Sequence, residues 1–172
     1  MRGYIEAVTL DDGAIRLTLS PDVADIVLTS VSQFIAALET GRRPGVLPRR
    51  LSNWRLFAHA YPRPKPSRQF RKRHNGWMRA SLYESACRIR DGWPDEPTFV
   101  LDRAAIADWF AVCGQAQALY VQRRSPNPLQ GSFGHGRPFW LAQVQSYVAM
   151  AARGYEWQRL QEGDELDNDG PG

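Results

Sequence analysis

The chain has few of the residues from which catalytic and metal sites are usually built. Its 172 residues include only two cysteines and three histidines. His59, His74 and His135 share no metal-ligand spacing with one another or with Cys87 and Cys113. The sequence therefore nominates no catalytic residue, no cofactor-binding residue and no metal ligand. Two cysteines without a secretory signal predict reduced thiols packed on apolar helix faces, not a disulfide framework.

Long apolar segments are also missing. The first ten residues, MRGYIEAVTL, lack the apolar core of a signal peptide, and no apolar run reaches the length needed to span a bilayer. An apolar fraction of 43% with 23% charged residues is typical of a globular protein and too apolar for a disordered one. We therefore expect one soluble, cytoplasmic domain that does not engage a membrane.

Acidic residues are nearly absent from the middle of the chain. Between Arg42 and Arg90 lie fourteen of its 22 lysines and arginines, but only one acid, Glu84. Residues 156–172 reverse the sign, with six acids against one arginine. Charge separated in this way creates a field that attracts phosphate, an acidic protein or the chain's own acidic tail.

The periodicity predicts a mainly α-helical fold of about five helices with a small N-terminal β-hairpin. Two alternating segments flank the turn sequence Asp11-Asp12-Gly13. Ser20-Pro21 then predicts a helix start with Ser20 as the N-cap, and Gly41 predicts its end. Thr98 to Leu101 can join the hairpin as a third short strand, and Asp102 is expected to cap the helix that follows it.

The domain is predicted to span residues 1–160, with a disordered acidic tail at 161–172. A proline-rich basic insertion occupies residues 42–66. Residues 62–66 are expected to be extended, and a short helix is expected at about 51–59 between two loops. Asn75-Gly76 is expected to form a turn that separates two helices. Ser67 to Arg90 therefore has the outline of a helix-turn-helix reader.

The basic segment supplies the candidate contact residues. Its arginines are interleaved with aromatic residues, and this mixture suits nucleic acid because arginine pairs with phosphate and aromatic rings stack on bases. A solvated arginine-rich face and a dock for an acidic protein are the two other interpretations. The candidate contacts to nucleic acid or an acidic partner are Arg63, Lys65, Arg68, Arg71, Lys72, Arg73, Trp77 and Arg79.

The order of several motifs resembles an uncharacterised actinobacterial family, the domain of unknown function DUF2017. The matching segments are Leu56-Phe57-Ala58-His59-Ala60-Tyr61-Pro62, Phe70-Arg71, Met78-Arg79-Ala80, Val100-Leu101-Asp102, Trp109-Phe110, Trp140-Leu141 and Val144-Gln145. The resemblance covers roughly residues 4–152. It implies a small, mostly helical cytosolic protein. Members are sometimes labelled transcriptional regulators, and they often lie beside an adaptor of the Clp protease.

This chain departs from that family at one helix. Family members tend to carry an Asn-Asp-x-Arg set where this chain has Gly114-Gln115-Ala116-Gln117. The departure and the basic middle imply a diverged member. The leading hypothesis is a non-enzymatic regulatory or protein-interaction module, and the alternative is a nucleic-acid-binding protein that uses residues 42–90. The expected partner is a protein or, in the alternative, nucleic acid; no sequence feature specifies an oligomeric state.

Overall fold

The computed structural model describes residues 3–43, 49–50, 64–120 and 136–166. In chain order the elements are β1 (Ile5–Thr9), β2 (Ile15–Leu19), α1 (Pro21–Thr40), β3 (Arg42–Arg43), β4 (Arg49–Arg50), α2 (Pro64–Asp91), β5 (Thr98–Leu101), α3 (Arg103–Ala116), a 3-10 turn (Gln117–Leu119) and α4 (Arg137–Leu166). The fold is mainly helical, as predicted.

The three longer strands form one antiparallel sheet in the order β1-β2-β5. Leu17 lies opposite Ala7 on one side and Phe99 on the other. Because successive side chains alternate between faces, Leu17 and Phe99 point into the core while Arg16 and Val100 lie on the solvated face. The predicted hairpin and third strand are therefore confirmed.

Helix α1 carries the centre of the core. Its apolar residues recur every three or four positions, so they form one stripe that packs against the sheet and the other helices. The stripe residues that are completely or almost completely buried are Val23, Val27, Val31, Phe34, Ile35 and Leu38. Each such side chain contributes about 1.5–3 kcal/mol by leaving water.

The two ends of α1 differ in how well the sequence predicts them. Gly41 ends the helix as predicted, with a φ of 67° that favours glycine and an N–H that donates to the Ala37 carbonyl at 2.9 Å. Ser20 occupies the N-cap position, but its side chain makes no cap hydrogen bond. Instead its hydroxyl accepts the Tyr4 N–H at 3.2 Å, so Ser20 ties the first strand to the helix start.

Helix α2 corrects the prediction of two helices. It runs without interruption from Pro64 to Asp91, through both Asn75 and Gly76. Four α-helices are therefore found in the described residues where about five were predicted, and the predicted short helix at 51–59 lies outside those residues. Pro64 and Pro66 were expected to be extended but belong to the first turn of α2, where a missing backbone N–H costs nothing.

Helix α3 begins as predicted and packs against α4. The Asp102 carboxylate accepts the Ala105 N–H at 2.8 Å, which is the expected N-cap. Trp109 and Cys113 are buried, whereas the adjacent Phe110 is 46% exposed.

Helix α4 closes the core over the hairpin. Trp140 lies against Gly3, where a Cβ atom would come within 2.8 Å of the indole ring, so only glycine permits this approach. The helix continues to Leu166, past the expected start of a disordered tail at 161, because Gln, Glu and Leu all favour helix. Residues 167–172 lie outside the described residues.

Helix α1 is also long and apolar enough to cross a membrane by length and composition, with a mean hydropathy of 1.3 over its best window. Half of that window is buried within the fold. The apolar stripe that raises the hydropathy is the one that packs against the sheet and the neighbouring helices.

The core position of Cys113 predicts an inert thiol. Complete burial raises the pKa of this thiol to about 12, so almost no thiolate forms near neutral pH. In a Cys87→Ala variant, a thiol-reactive reagent should label native Cys113 far more slowly than the unfolded chain.

The matched variant is Cys113→Ala, which leaves the half-buried Cys87 as the single thiol. In the native state, Cys87 in this variant should be labelled faster than Cys113 in the Cys87→Ala variant. Rapid stoichiometric labelling of native Cys113 would contradict the structural role.

Candidate interaction surface

The first twenty residues of α2 form the most basic element of the fold. Residues 64–83 carry six lysines and arginines and no acid. The backbone places Lys65, Arg68, Arg71 and Lys72 in this helix, but their side chains lie outside the described part of the structure, as does all of Arg63. Arg73 is exposed. The candidate contact residues of α2 thus share one helix, not two helices around a turn.

Trp77 is the most exposed large apolar side chain in the described residues. It is 72% exposed, and its flanking residues Gly76 and Ala80 are small and exposed as well. Arg73 lies four residues earlier, on the same face of the helix. An exposed indole beside an arginine is a composition that recurs at the centres of protein interfaces.

Arg79 does not belong to that exposed surface. Its guanidinium donates to the Leu38 carbonyl in the last turn of α1. A cation is favourable there because the helix C-terminus carries partial negative charge. This predicted contact residue therefore already has a partner, and it fixes α2 against α1.

Tyr83 makes a second link between the same helices. Its hydroxyl donates to the Glu39 carboxylate at 2.8 Å. This hydrogen bond, with a smaller contribution from the neighbouring Cys87, raises the pKa of Tyr83 to about 12. Together Arg79 and Tyr83 orient α2 on α1, and the rotation they impose leaves Trp77 facing outward.

The C-terminal part of α2 is held to α3 by a charged pair. The Arg88 guanidinium binds the Asp108 carboxylate through two hydrogen bonds, of 2.7 Å from Nε and 2.8 Å from Nη2. The buried Ser85 hydroxyl donates to the same carboxylate at 2.6 Å. The Arg88 hydrogen bonds, with a further contribution from Ser85, lower the pKa of Asp108, although partial burial opposes this.

Trp93, Phe99 and Trp109 form an aromatic cluster next to that pair in sequence. Phe99 of β5 packs edge-on against Trp109 and Trp93, with ring centroids 4.8 and 4.9 Å away. Trp93 stacks on Trp109 and is half-buried, so part of the ring is exposed next to the end of the basic helix. These residues stiffen the junction of α2, β5 and α3.

A cleft of about 440 Å³ opens at this junction. It runs along all four residues of β5 and is walled by the end of α2 and the first two turns of α3, including Arg88, Pro94 and Trp109. The cleft is open to solvent and brings Asp102 and Asp108 to its rim. The sequence did not indicate it, because the cleft depends on how three consecutive elements within residues 88–109 fold back on one another.

The segment that departs from the family pattern has a structural role here. The Gln117 amide donates to the Gln145 side chain at 3.2 Å, and Gln145 donates to the Phe110 carbonyl at 3.2 Å. At Gly114, an added Cβ would lie 2.5 Å from the Gln145 amide nitrogen. Gly114 and Gln117 therefore accommodate Gln145 and join α3 to α4.

A metal site is not formed by the residues that the structure describes. Among them, no three His, Cys, Asp or Glu residues lie close enough to bind a metal ion. Comparison of the chain with protein-family models, with curated proteins and with solved structures finds no match. The assignment of function therefore depends on the surfaces themselves.

The Arg88–Asp108 pair predicts a pH-dependent contribution to stability. Because the pKa of Asp108 is lower in the folded than in the unfolded chain, its contribution is present above the ordinary carboxyl pKa and is lost as the pH falls through the folded value. Asp108→Asn should lower the free energy of unfolding at pH 7 by about 0.5–1 kcal/mol, since Arg88 is largely exposed to water.

Urea unfolding at pH 7 and at pH 3 checks this, with Asp95→Asn as the control at an exposed carboxylate. The loss caused by Asp108→Asn should shrink at pH 3, while Asp95→Asn should have little effect at either pH. An equal loss at both pH values would show that the charge of Asp108 is not what matters.

Proposed function

We propose that the protein is a non-enzymatic interaction module, acting in the cytoplasm, which binds an acidic protein partner through α2. The observation that carries this proposal is Trp77, 72% exposed on the basic helix while most large apolar residues of the fold are covered. Solvent exposure of an indole is unfavourable unless a partner covers it, so such residues often mark contact sites.

The charge of α2 favours an anionic partner. Cations near the N-terminus of a helix face the positive end of its dipole, and α2 has no acid in its first turn to offset this. An acidic surface would relieve that repulsion and pair with Arg73 beside Trp77. Membership in the diverged actinobacterial family, and with it a regulatory role, is part of the same proposal and agrees with the helical fold.

Nucleic acid remains the second candidate, favoured by the six cations and absent acids of residues 64–83. The continuous helix removes the helix-turn-helix outline as an argument for it. In this alternative the protein binds the phosphate backbone of the nucleic acid and does not recognise the base sequence.

A photocrosslinking experiment separates the two candidates. A photoreactive phenylalanine analogue replaces Trp77 in one variant and Met150 in a second, control variant. Met150 is also exposed, but it lies on α4 and not on the basic helix. After irradiation in native cells, position 77 should give discrete adducts that protease removes and nuclease leaves intact. Position 150 should give few or none.

The other outcomes are equally informative. Nuclease-sensitive adducts at position 77 would support nucleic acid, and duplex binding should then weaken with salt at a log–log slope of roughly −4 to −5 for about five phosphate contacts. Replacing Arg71, Lys72 and Arg73 together by Ala should flatten that slope by up to about three contacts. The same adducts at both positions would contradict a surface centred on Trp77.

A further inference from the structure

Strand β5 is an edge strand with backbone groups directed away from the sheet. The Leu19 N–H donates to the Pro97 carbonyl at 2.9 Å, which places this pair at a hydrogen-bonded position of the ladder, with one bond because Pro97 has no N–H to donate in return. In an antiparallel ladder every second pair does so, hence Phe99 and Leu101 bond to β2. The backbone of Val100 and the carbonyl of Thr98 must then point to the open side.

The open side of β5 is accessible. Among the described residues no further strand pairs with β5, and Val100 is 68% exposed. The Thr98 N–H is already used, because it donates to the Glu96 carbonyl at 2.7 Å. The N–H and carbonyl of Val100 therefore remain as the central pair that an added strand would bond, with the cleft directly alongside.

The charge at this edge is opposite to that of the first twenty residues of α2. Arg88 and Arg90 are paired with Asp108 and Asp91, so these four charges offset one another. The remaining exposed charged residues from 95 to 103 are Asp95, Glu96, Asp102 and Arg103. Three acids against one arginine leave an excess of two negative charges around β5. Arg16 lies one strand farther from the open edge.

We propose that the open edge of β5 and the adjoining cleft bind an extended, basic peptide segment of a partner protein, which joins the sheet as a fourth strand. Main-chain hydrogen bonds to Val100 supply the register. Alternate side chains of the segment enter the cleft beside Pro94 and Trp109 or pack on Val100, and its cations meet Asp95, Glu96 and Asp102. This site is independent of the Trp77 surface: residue 88, where the cleft begins on α2, is about 16 Å along the helix from residue 77.

The proposal is tested with a synthetic hexapeptide, acetyl-Lys-Val-Lys-Val-Lys-Val-amide, titrated into the full-length protein and followed by NMR amide shifts. The acidic counterpart, with Glu in place of Lys, controls for charge. A version with N-methylated valines controls for backbone hydrogen bonding without changing the protein. The basic peptide should shift the amides of residues 98–102, and each control peptide should bind about tenfold more weakly or worse.

Two protein variants make the test specific to this edge. Val100→Pro removes an N–H that the sheet does not use, so the fold should persist while binding weakens about tenfold or more. Val100→Thr keeps the N–H and should bind nearly as the wild type does. The double variant Asp95→Asn/Glu96→Gln should weaken binding several-fold in low salt and less in high salt.

Equal binding of the basic and acidic peptides, unchanged binding by Val100→Pro, or shifts confined to α2 would overturn the proposal. If the wild-type protein dimerised without peptide and the Val100→Pro variant stayed monomeric, the edge would bind a second copy of the chain. That result would overturn the proposal of a basic peptide. None of these outcomes bears on crosslinking at Trp77, so the two proposals fail separately.

Discussion

The packing of the apolar stripe of α1 is the interaction on which the rest of the structure depends. The buried residues of α1 belong to one core cluster with residues of the sheet and of the other three helices, and α1 contacts each of those helices. Its C-terminal turn then supplies the Leu38 carbonyl and the Glu39 carboxylate that orient α2. Without α1 the sheet and the basic helix would have no common core.

The orientation of α2 determines which residues can meet a partner. The face with Leu82, Ala86 and Ile89 is buried, and Arg79 and Tyr83 are engaged at α1, so the opposite face with Trp77 is left to solvent. The far end of the same helix, joined to α3 by Arg88 and Asp108, forms one wall of the β5 cleft. One helix therefore contributes to a basic surface at one end and to an edge of opposite charge at the other.

Local signals in the sequence predicted the parts of the fold that local physics controls. The hairpin, the third strand, the Asp102 cap and the Gly41 terminus depend on a few neighbouring residues, and all were predicted correctly. The errors occur where tertiary contacts decide. Asn75-Gly76 favours a break, but α2 continues, and the contacts that Met78, Arg79 and Tyr83 make with the core and α1 offset a helix cost of about 1 kcal/mol for glycine. The roles of Ser20 and Arg79 follow from contacts between segments distant in sequence, and the cleft follows from the way residues 88–109 fold back on one another.

Gly76 is the position that tests most directly whether α2 is one helix that carries the basic residues and Trp77 together. Gly76 lies within the helix, and a Cβ atom added there would meet nothing within 4 Å. Measured by urea unfolding, Gly76→Ala should raise the free energy of unfolding by about 0.5–1 kcal/mol, because alanine favours helix over glycine. If the chain instead turned at Asn75-Gly76 with a positive φ at the glycine, alanine would be strained, and a loss of stability would contradict the account.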